Sequence, residues 1–197
     1  MMKDSPVSNL DILLVGVGGQ GTILASRIIS QVAMDNGLEV KISEVHGMAQ
    51  RGGSVVTHLR MGDTVYSPLI QMGQADVIVA FEQLEAWRWL PYLHKEGVVI
   101  LNTQVISPVP VISGYQEYPQ NIVNRIKDSV SRTVDLNAQE IAKESGNDRT
   151  ANVVLLGVLA ARLGFSKESW NYALENTIPK KVLEPNKKAF EMGYQQL

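Results

Sequence analysis

The sequence predicts an α/β fold: a Rossmann-like, mostly parallel sheet flanked by helices, with a C-terminal helical extension. A continuous apolar run at 11–16 passes through a glycine-rich turn into a helical pattern, which is typical of a buried strand followed by a helix. Short apolar runs at 76–81 and 97–101 have the length of further buried strands. We therefore expect a single domain over residues 1–197, with helices at about 166–197 packed on it.

The remaining elements follow in chain order. We expect strands at 11–16, 39–45, 54–60, 76–81 and 97–101, with helices at 22–36 and at 82–89, where Pro91 halts the helix. In the second half we expect short β fragments at best in 103–118, an apolar piece at 133–136, and helices at 119–129, 137–144, 152–163, 166–176 and 181–192. The pair Gly62–Asp63 is typical of a hairpin turn, with Thr64–Tyr66 as the returning strand. The strands at 11–16 and 39–45 would form a βαβ unit with a right-handed crossover.

The composition excludes several classes of function. The formal net charge is −2 and no basic run with interleaved aromatic residues occurs, so we expect no nucleic-acid surface. There is no cysteine, which excludes disulfides, thiolate-bound metal centres and a cysteine nucleophile within this chain. His58 and His94 have no metal-ligand spacing with other residues. A polar N-terminus and the lack of a long apolar stretch predict a cytoplasmic protein without a membrane partner.

The glycine-rich turn is the first candidate site. It contains Gly16, Gly18, Gly19, Gln20 and Gly21. Gly16, Gly18 and Gly21 satisfy the G-x-G-x-x-G spacing, and Glu44 at the end of the second strand could bind the ribose of a dinucleotide. Backbone N–H groups at the start of the helix also favour other anions. A third interpretation is that the turn serves only helix packing or a subunit contact.

The loop at 46–53 is the second candidate. It contains His46, Gln50, Arg51, Gly52 and Gly53. Because it follows the second strand, it should emerge at the same edge as the glycine turn. His46 is a candidate general acid or base, and Arg51 could bind a phosphate or carboxylate through two hydrogen bonds. Alternatively, Gln50 and Arg51 bind carbonyl groups across an interface, and Gly52 and Gly53 only start the next strand.

Two carboxylates, Glu82 and Glu85, follow the strand at 76–81. Paired carboxylates can perform acid–base chemistry. We expect instead that Glu82 stabilises the N-terminus of its own helix.

Three segments together resemble the gamma domain of the 2-oxoacid:ferredoxin oxidoreductases. The segments are GVGGQG at 16–21, EVHGMAQRGGSVVTHLRMGDTVYSPLI at 44–70 and ADVIVAFEQLEA at 75–86. The resemblance covers about residues 10–165 and is strongest to the indolepyruvate-oxidising members. It implies a subunit of a complex that oxidatively decarboxylates arylpyruvates with coenzyme A, yielding an arylacetyl-CoA, carbon dioxide and reduced ferredoxin.

The resemblance also implies that cofactor chemistry belongs to a larger partner subunit. That subunit would carry thiamine diphosphate, its magnesium ion and iron–sulfur clusters, while this chain alone would bind no cofactor. The absence of cysteine, and of a GDG-then-Asn thiamine motif, agrees with an accessory role. Residues 18–21 and 50–53 would face the partner or the diphosphate of coenzyme A, with Arg51 supplying positive charge. Two alternatives stay open: a stand-alone NAD-dependent oxidoreductase that uses Gly16, Gly18, Gly21 and Glu44, and a non-catalytic assembly module.

Overall fold

The computed structural model describes residues 9–47 and 52–197. The strands are β1 (Asn9–Val17), β2 (Glu39–His46), β3 (Ser54–Gly62), β4 (Ala75–Ala80), β5 (Leu93–Asn102) and β6 (Thr133–Leu136). The helices are α1 (Thr22–Asp35), α2 (Gln83–Trp89), α3 (Val109–Ile112), α4 (Ile122–Ser129), α5 (Ala138–Ser145), α6 (Ala151–Arg162), α7 (Lys167–Thr177) and α8 (Lys180–Tyr194). Short 3₁₀ turns lie at Leu90–Tyr92 and Asp148–Thr150.

The strands form one sheet in the order β2-β3-β1-β4-β5-β6. The pairs β1–β4, β4–β5 and β5–β6 are parallel, whereas β3 is antiparallel to both β1 and β2. β2 therefore runs parallel to β1, and β3 is the one strand of the described sheet that runs in the opposite direction. The Rossmann-like, mostly parallel sheet predicted from the sequence is confirmed.

The position of β3 corrects the expected hairpin. Residues 64–66 form no strand, so the predicted return at Thr64–Tyr66 is wrong. β3 pairs with β1 over Ser54–Gly62 and with β2 over Val55–Gly62, which leaves no edge for a third neighbour. The hairpin lies instead between β2 and β3, through residues 47–53. His46 is the last residue of β2 rather than part of the loop.

Helices cover both faces of the sheet because the β1 side chains alternate between two apolar clusters. Ile12 and Leu14 contact α1 and the C-terminal helices, whereas Leu13 and Val15 lie on the face covered by α2 and α4. The C-terminal extension is present as predicted, and the Ser166 side chain caps α7 by accepting from the Ser169 N–H. Within 103–118 the structure has one helical turn, α3, where short β fragments were expected. None of the described helices combines the length and hydropathy that a bilayer span requires.

Two helical glycines allow α6 and α8 to cross with their backbones in contact. A Cβ atom at Gly157 would overlap the carbonyl oxygen of Phe190, and one at Gly193 would overlap the carbonyl oxygen of Val154. Both obstacles are backbone atoms, which cannot move aside by a side-chain rotation. The docking of α8 on the domain therefore depends on these glycines.

We predict that Gly157→Ala lowers the free energy of unfolding by about 3 kcal/mol, because overpacking outweighs the gain of about 1 kcal/mol in helix propensity. Urea unfolding followed by circular dichroism measures this change. Glu184→Ala, at an exposed position of α8, is the control and should alter stability by less than about 0.5 kcal/mol. Equal stability of Gly157→Ala and wild type would show that the two helices have room to separate.

Candidate ligand and partner site at the carboxyl edge of the sheet

The glycine turn connects β1 to α1 and contacts the β2–β3 loop. Gly19 and Gly21 have φ angles of +102° and +84°, a region that favours glycine. The Gly18 N–H donates to the Gly53 carbonyl oxygen at 2.9 Å. The structure thus brings two of the sequence-predicted segments together at one edge of the sheet.

Gln20 occupies the space above the end of β1. Its Oε1 accepts from the Val17 N–H at 2.7 Å, and its Nε2 donates to the Phe81 carbonyl oxygen at 2.8 Å. The same Nε2 donates to Gln104 Oε1 at 2.8 Å. A Cβ at Gly16 would lie only 2.8 Å from Gln20 Oε1. Gly16 therefore leaves the room that the Gln20 carboxamide occupies. This packing explains the glycine at position 16 without a bound phosphate.

Gly21 has a second steric role. A Cβ there would overlap Asn152 Nδ2, which donates to the Gly21 carbonyl oxygen at 3.3 Å. Asn152 belongs to α6, so this contact fixes the start of α1 against the start of α6. The G-x-G-x-x-G spacing is thus accounted for by internal packing at its first and last glycines.

The expected ribose ligand lies one strand too far from β1 for a dinucleotide fold. β3 separates β2 from β1, which places Glu44 two strand spacings, or about 10 Å, from the strand that carries the turn. Glu44 instead contacts Ser26 Oγ at 3.5 Å and His46 Nε2 at 3.6 Å. In a dinucleotide-binding fold the second strand is the immediate neighbour of the first. The geometry therefore disfavours NAD binding through Glu44.

The predicted loop site is described in part. The His46 side chain is about half exposed, at 48%, and its Nε2 lies 3.6 Å from Glu44 Oε2. Gly52 has a φ angle of +78°, and Gly47 N–H donates to the Ser54 carbonyl oxygen at 2.9 Å, which closes the base of the loop. Gln50 and Arg51 lie outside the described residues, so their proposed roles stay predictions.

Glu82 caps α2, as the sequence predicted. Its Oε2 accepts from the Glu85 N–H at 3.0 Å, while its Oε1 accepts from the Tyr118 hydroxyl at 2.6 Å and from the Ile106 N–H at 3.2 Å. Burial and the bond to Glu82 raise the pKa of Tyr118. The single buried carboxylate of Glu82 thereby fixes the 103–118 segment at two points, Ile106 and Tyr118.

Glu85 links α2 to the start of β3. Its Oε2 accepts from Ser54 Oγ at 2.5 Å, and its Oε1 accepts from the Arg88 guanidinium at 2.5 Å. Burial raises the pKa of the Glu85 carboxyl, and the neighbouring Glu82 adds to this rise. Both carboxylates, Glu82 and Glu85, are hydrogen-bonded to other groups of the protein. The pair therefore stabilises the structure at the carboxyl edge of the sheet.

A cleft of about 600 Å³ opens beside the glycine turn, at the carboxyl ends of β1, β4 and β5. Its walls carry the carboxamides of Gln20, Asn102, Gln104, Gln139 and Asn152, with Lys143 and Arg149 exposed at the rim. Sequence reasoning missed these residues apart from Gln20. No local motif marks them, because they come from separate elements and meet only in the folded chain.

A model of the pyruvate ferredoxin/flavodoxin oxidoreductase family matches residues 11–196. The chain belongs to this family. It is 44% identical over 191 residues to the indolepyruvate oxidoreductase subunit IorB of Archaeoglobus fulgidus, covering 95% of this chain and 94% of that protein. Identity to the subunit of the same name from Methanothermobacter thermautotrophicus is 40% over 190 residues, with coverage of 94% and 96%.

The fold matches a solved structure of the same family. The keto/oxoacid ferredoxin oxidoreductase gamma subunit of Geobacter sulfurreducens superposes with a TM-score of 0.71 at 27% identity. The match covers 95% of this chain and 97% of that subunit. The resemblance drawn from the three sequence motifs is therefore confirmed at the level of family and fold.

The chain has no cysteine to supply thiolate ligands to a metal centre. Within residues 9–47 and 52–197, no group of three or more His, Asp or Glu side chains is placed to hold a metal ion. The donor set of this chain does not fit an iron–sulfur cluster.

We predict that Gln20→Leu lowers the free energy of unfolding by about 1–3 kcal/mol, because it leaves the Val17 N–H and the Phe81 carbonyl with fewer partners. Chemical denaturation measures the loss. Gln31→Leu is the matched control, since Gln31 is hydrogen-bonded only in an exposed setting on α1. If both variants were equally stable, the Gln20 carboxamide would have no structural role at this edge.

Proposed function

We propose that this chain is the accessory subunit of a 2-oxoacid:ferredoxin oxidoreductase that oxidatively decarboxylates arylpyruvates, including indolepyruvate, to arylacetyl-CoA. The observation that carries the proposal is the near full-length identity of 40–44% to indolepyruvate oxidoreductase subunits. Proteins this similar over their whole length share one domain without large insertions. Their names describe them as subunits, which supports a larger partner for this chain.

The proposal assigns the cofactors to that partner. Thiamine diphosphate with magnesium would supply carbanion stabilisation there, and iron–sulfur clusters would carry single electrons to ferredoxin. The absence of cysteine from this chain supports that division.

The contribution of this chain would be a rigid surface beside the partner's active site. Residues 18–21 and 50–53 would face the partner or the diphosphate of coenzyme A. The Gly18–Gly53 hydrogen bond supports this assignment, because it fixes the glycine turn relative to the loop that carries Arg51. Behind the turn, the Gln20 side chain hydrogen-bonds the Val17 N–H and the Phe81 carbonyl oxygen. These internal hydrogen bonds hold the surface of the turn in place.

We predict that the purified chain is colourless and does not reduce a viologen dye with indolepyruvate and coenzyme A. Mixed with the larger subunit, it should restore turnover of indolepyruvate, phenylpyruvate and hydroxyphenylpyruvate, with pyruvate as the control substrate. Dye reduction by the isolated chain would contradict the accessory role. If the larger subunit were fully active without this chain, the chain would serve only in assembly of the complex.

We predict that Arg51→Ala weakens the complex while the melting temperature falls little, because a loop arginine contributes little to a core. If Arg51 binds the partner or coenzyme A, the Kd for the partner or the KM for coenzyme A should rise about 30-fold or more. Arg51→Lys should rescue only in part, since an ammonium group cannot form the planar paired contact of a guanidinium. Arg27→Ala, at an exposed position of α1, is the control. Changes within about twofold for Arg51→Ala would remove Arg51 from the interface.

A further inference from the structure

The 103–118 segment exposes apolar side chains and carries almost no charge. Its exposed apolar residues are Val105, Val109, Ile112 and Tyr115. Ile112 is 74% exposed and Tyr115 is 86% exposed. The sequence contains no Asp, Glu, Lys, Arg or His over residues 97–116. Single apolar residues on a surface need no explanation, but several of them in one uncharged segment are typical of the core of a protein interface.

The segment has a fixed shape although much of it is exposed. Pro110 restricts the backbone of α3, and its carbonyl oxygen accepts from the Tyr115 N–H at 2.9 Å, which closes the turn after that helix. The Glu82 carboxylate attaches the segment to α2 at Ile106 and Tyr118. A segment that is already ordered loses less conformational entropy when a partner binds it. This rigidity suits a docking surface.

The first turn of α2 connects this segment to the loop between β2 and β3. Glu82 binds the 103–118 segment, and Glu85 accepts from Ser54 Oγ at the start of β3. Both regions are therefore attached to the same helical turn at the carboxyl edge of the sheet. Residues 50–53 of that loop are the ones that the proposed function assigns to the larger subunit. The apolar segment extends the same surface.

The size of the segment argues against a second copy of the chain as its partner. A stable interface buries about 800 Å² on each side, and four side chains on one short segment cannot supply that area. The segment must act together with neighbouring surface, which here is the loop assigned to the larger subunit. The chain also matches 37% of the length of the ketoisovalerate oxidoreductase subunit VorA of Methanothermobacter marburgensis, at 27% identity. In that relative a domain of this kind belongs to a longer polypeptide, which supports packing against a larger protein.

We propose that the larger subunit binds the 103–118 segment in an uncharged apolar groove, with Ile112 and Tyr115 contributing most of the affinity. A few large side chains that enter desolvated pockets usually dominate the binding energy of an interface, and tyrosine is enriched among them. The polar loop at 50–53 would lie beside this apolar core. The inference rests on the proposed function, because it assigns a docking surface to the partner named there.

Binding of the purified larger subunit to the full chain, measured by calorimetry, tests the proposal. Ile112→Ser and Tyr115→Ala should each raise the Kd by about 30-fold or more. Neither substitution should lower the melting temperature appreciably, because both side chains are exposed. Tyr172→Ala, which removes an exposed tyrosine from α7, is the matched control and should change the Kd by less than about twofold.

The salt dependence of binding separates the apolar contact from a charged one. Raising the ionic strength from about 0.05 M to about 0.5 M screens charges and leaves apolar contacts in place. The loss of affinity in Ile112→Ser should therefore be the same at both ionic strengths. A loss that disappears at high salt would contradict an apolar groove.

Three further outcomes would overturn the proposal. The first is a Kd within about twofold of wild type for both Ile112→Ser and Tyr115→Ala. The second is an equal loss of affinity in Tyr172→Ala. The third is a dimer of the isolated chain in analytical ultracentrifugation that Ile112→Ser dissociates, since the segment would then bind a second copy.

Failure of this inference is distinguishable from failure of the proposed function. A wild-type chain that binds the larger subunit no more tightly than its Ile112 and Tyr115 variants, yet supports arylpyruvate turnover, would overturn the docking surface alone. A wild-type chain that binds through this segment but supports no such turnover would overturn the proposed reaction alone. If the wild-type chain does not bind the larger subunit, both are wrong.

Discussion

The carboxamide of Gln20 is the interaction on which the carboxyl edge of the sheet depends. It joins the last N–H of β1 to the carbonyl that follows β4, and it reaches Gln104 beyond β5. Three neighbouring strands are therefore tied together at the point where their hydrogen-bonded ladder ends. Position 16 is a glycine because a Cβ atom there would come too close to the Gln20 side chain. A motif that resembles a phosphate-binding fingerprint thus serves, at this position, to seat a side chain of the protein itself.

The antiparallel strand β3 determines what else reaches this edge. It enters between β1 and β2, so the β2–β3 hairpin turns at the same edge as the glycine turn. The Gly18–Gly53 bond and the Ser54–Glu85 bond then attach that hairpin to β1 and α2. The loop that carries Arg51 is consequently anchored at its base.

The cleft combines carboxamide side chains with a cationic rim, and both follow from packing of the C-terminal half against the turn. α5 and α6 bring Gln139, Lys143 and Asn152 to the ends of β4 and β5. The backbone contact of α6 with α8 holds α6 in that position. The C-terminal helices therefore contribute to the site as well as to stability.

The sequence by itself determined the strand–turn–helix unit, the buried strands, the Glu82 cap and the family, because these depend on local periodicity, capping chemistry and short motifs. It did not determine the position of β3, since an apolar strand fits beside several neighbours and only the packed sheet places it between β1 and β2. The cleft was also beyond local inference. Its hydrogen bonds join Gln20 to Gln104 and Gly21 to Asn152 across 84 and 131 residues. Such contacts exist only once the tertiary fold has brought the elements together.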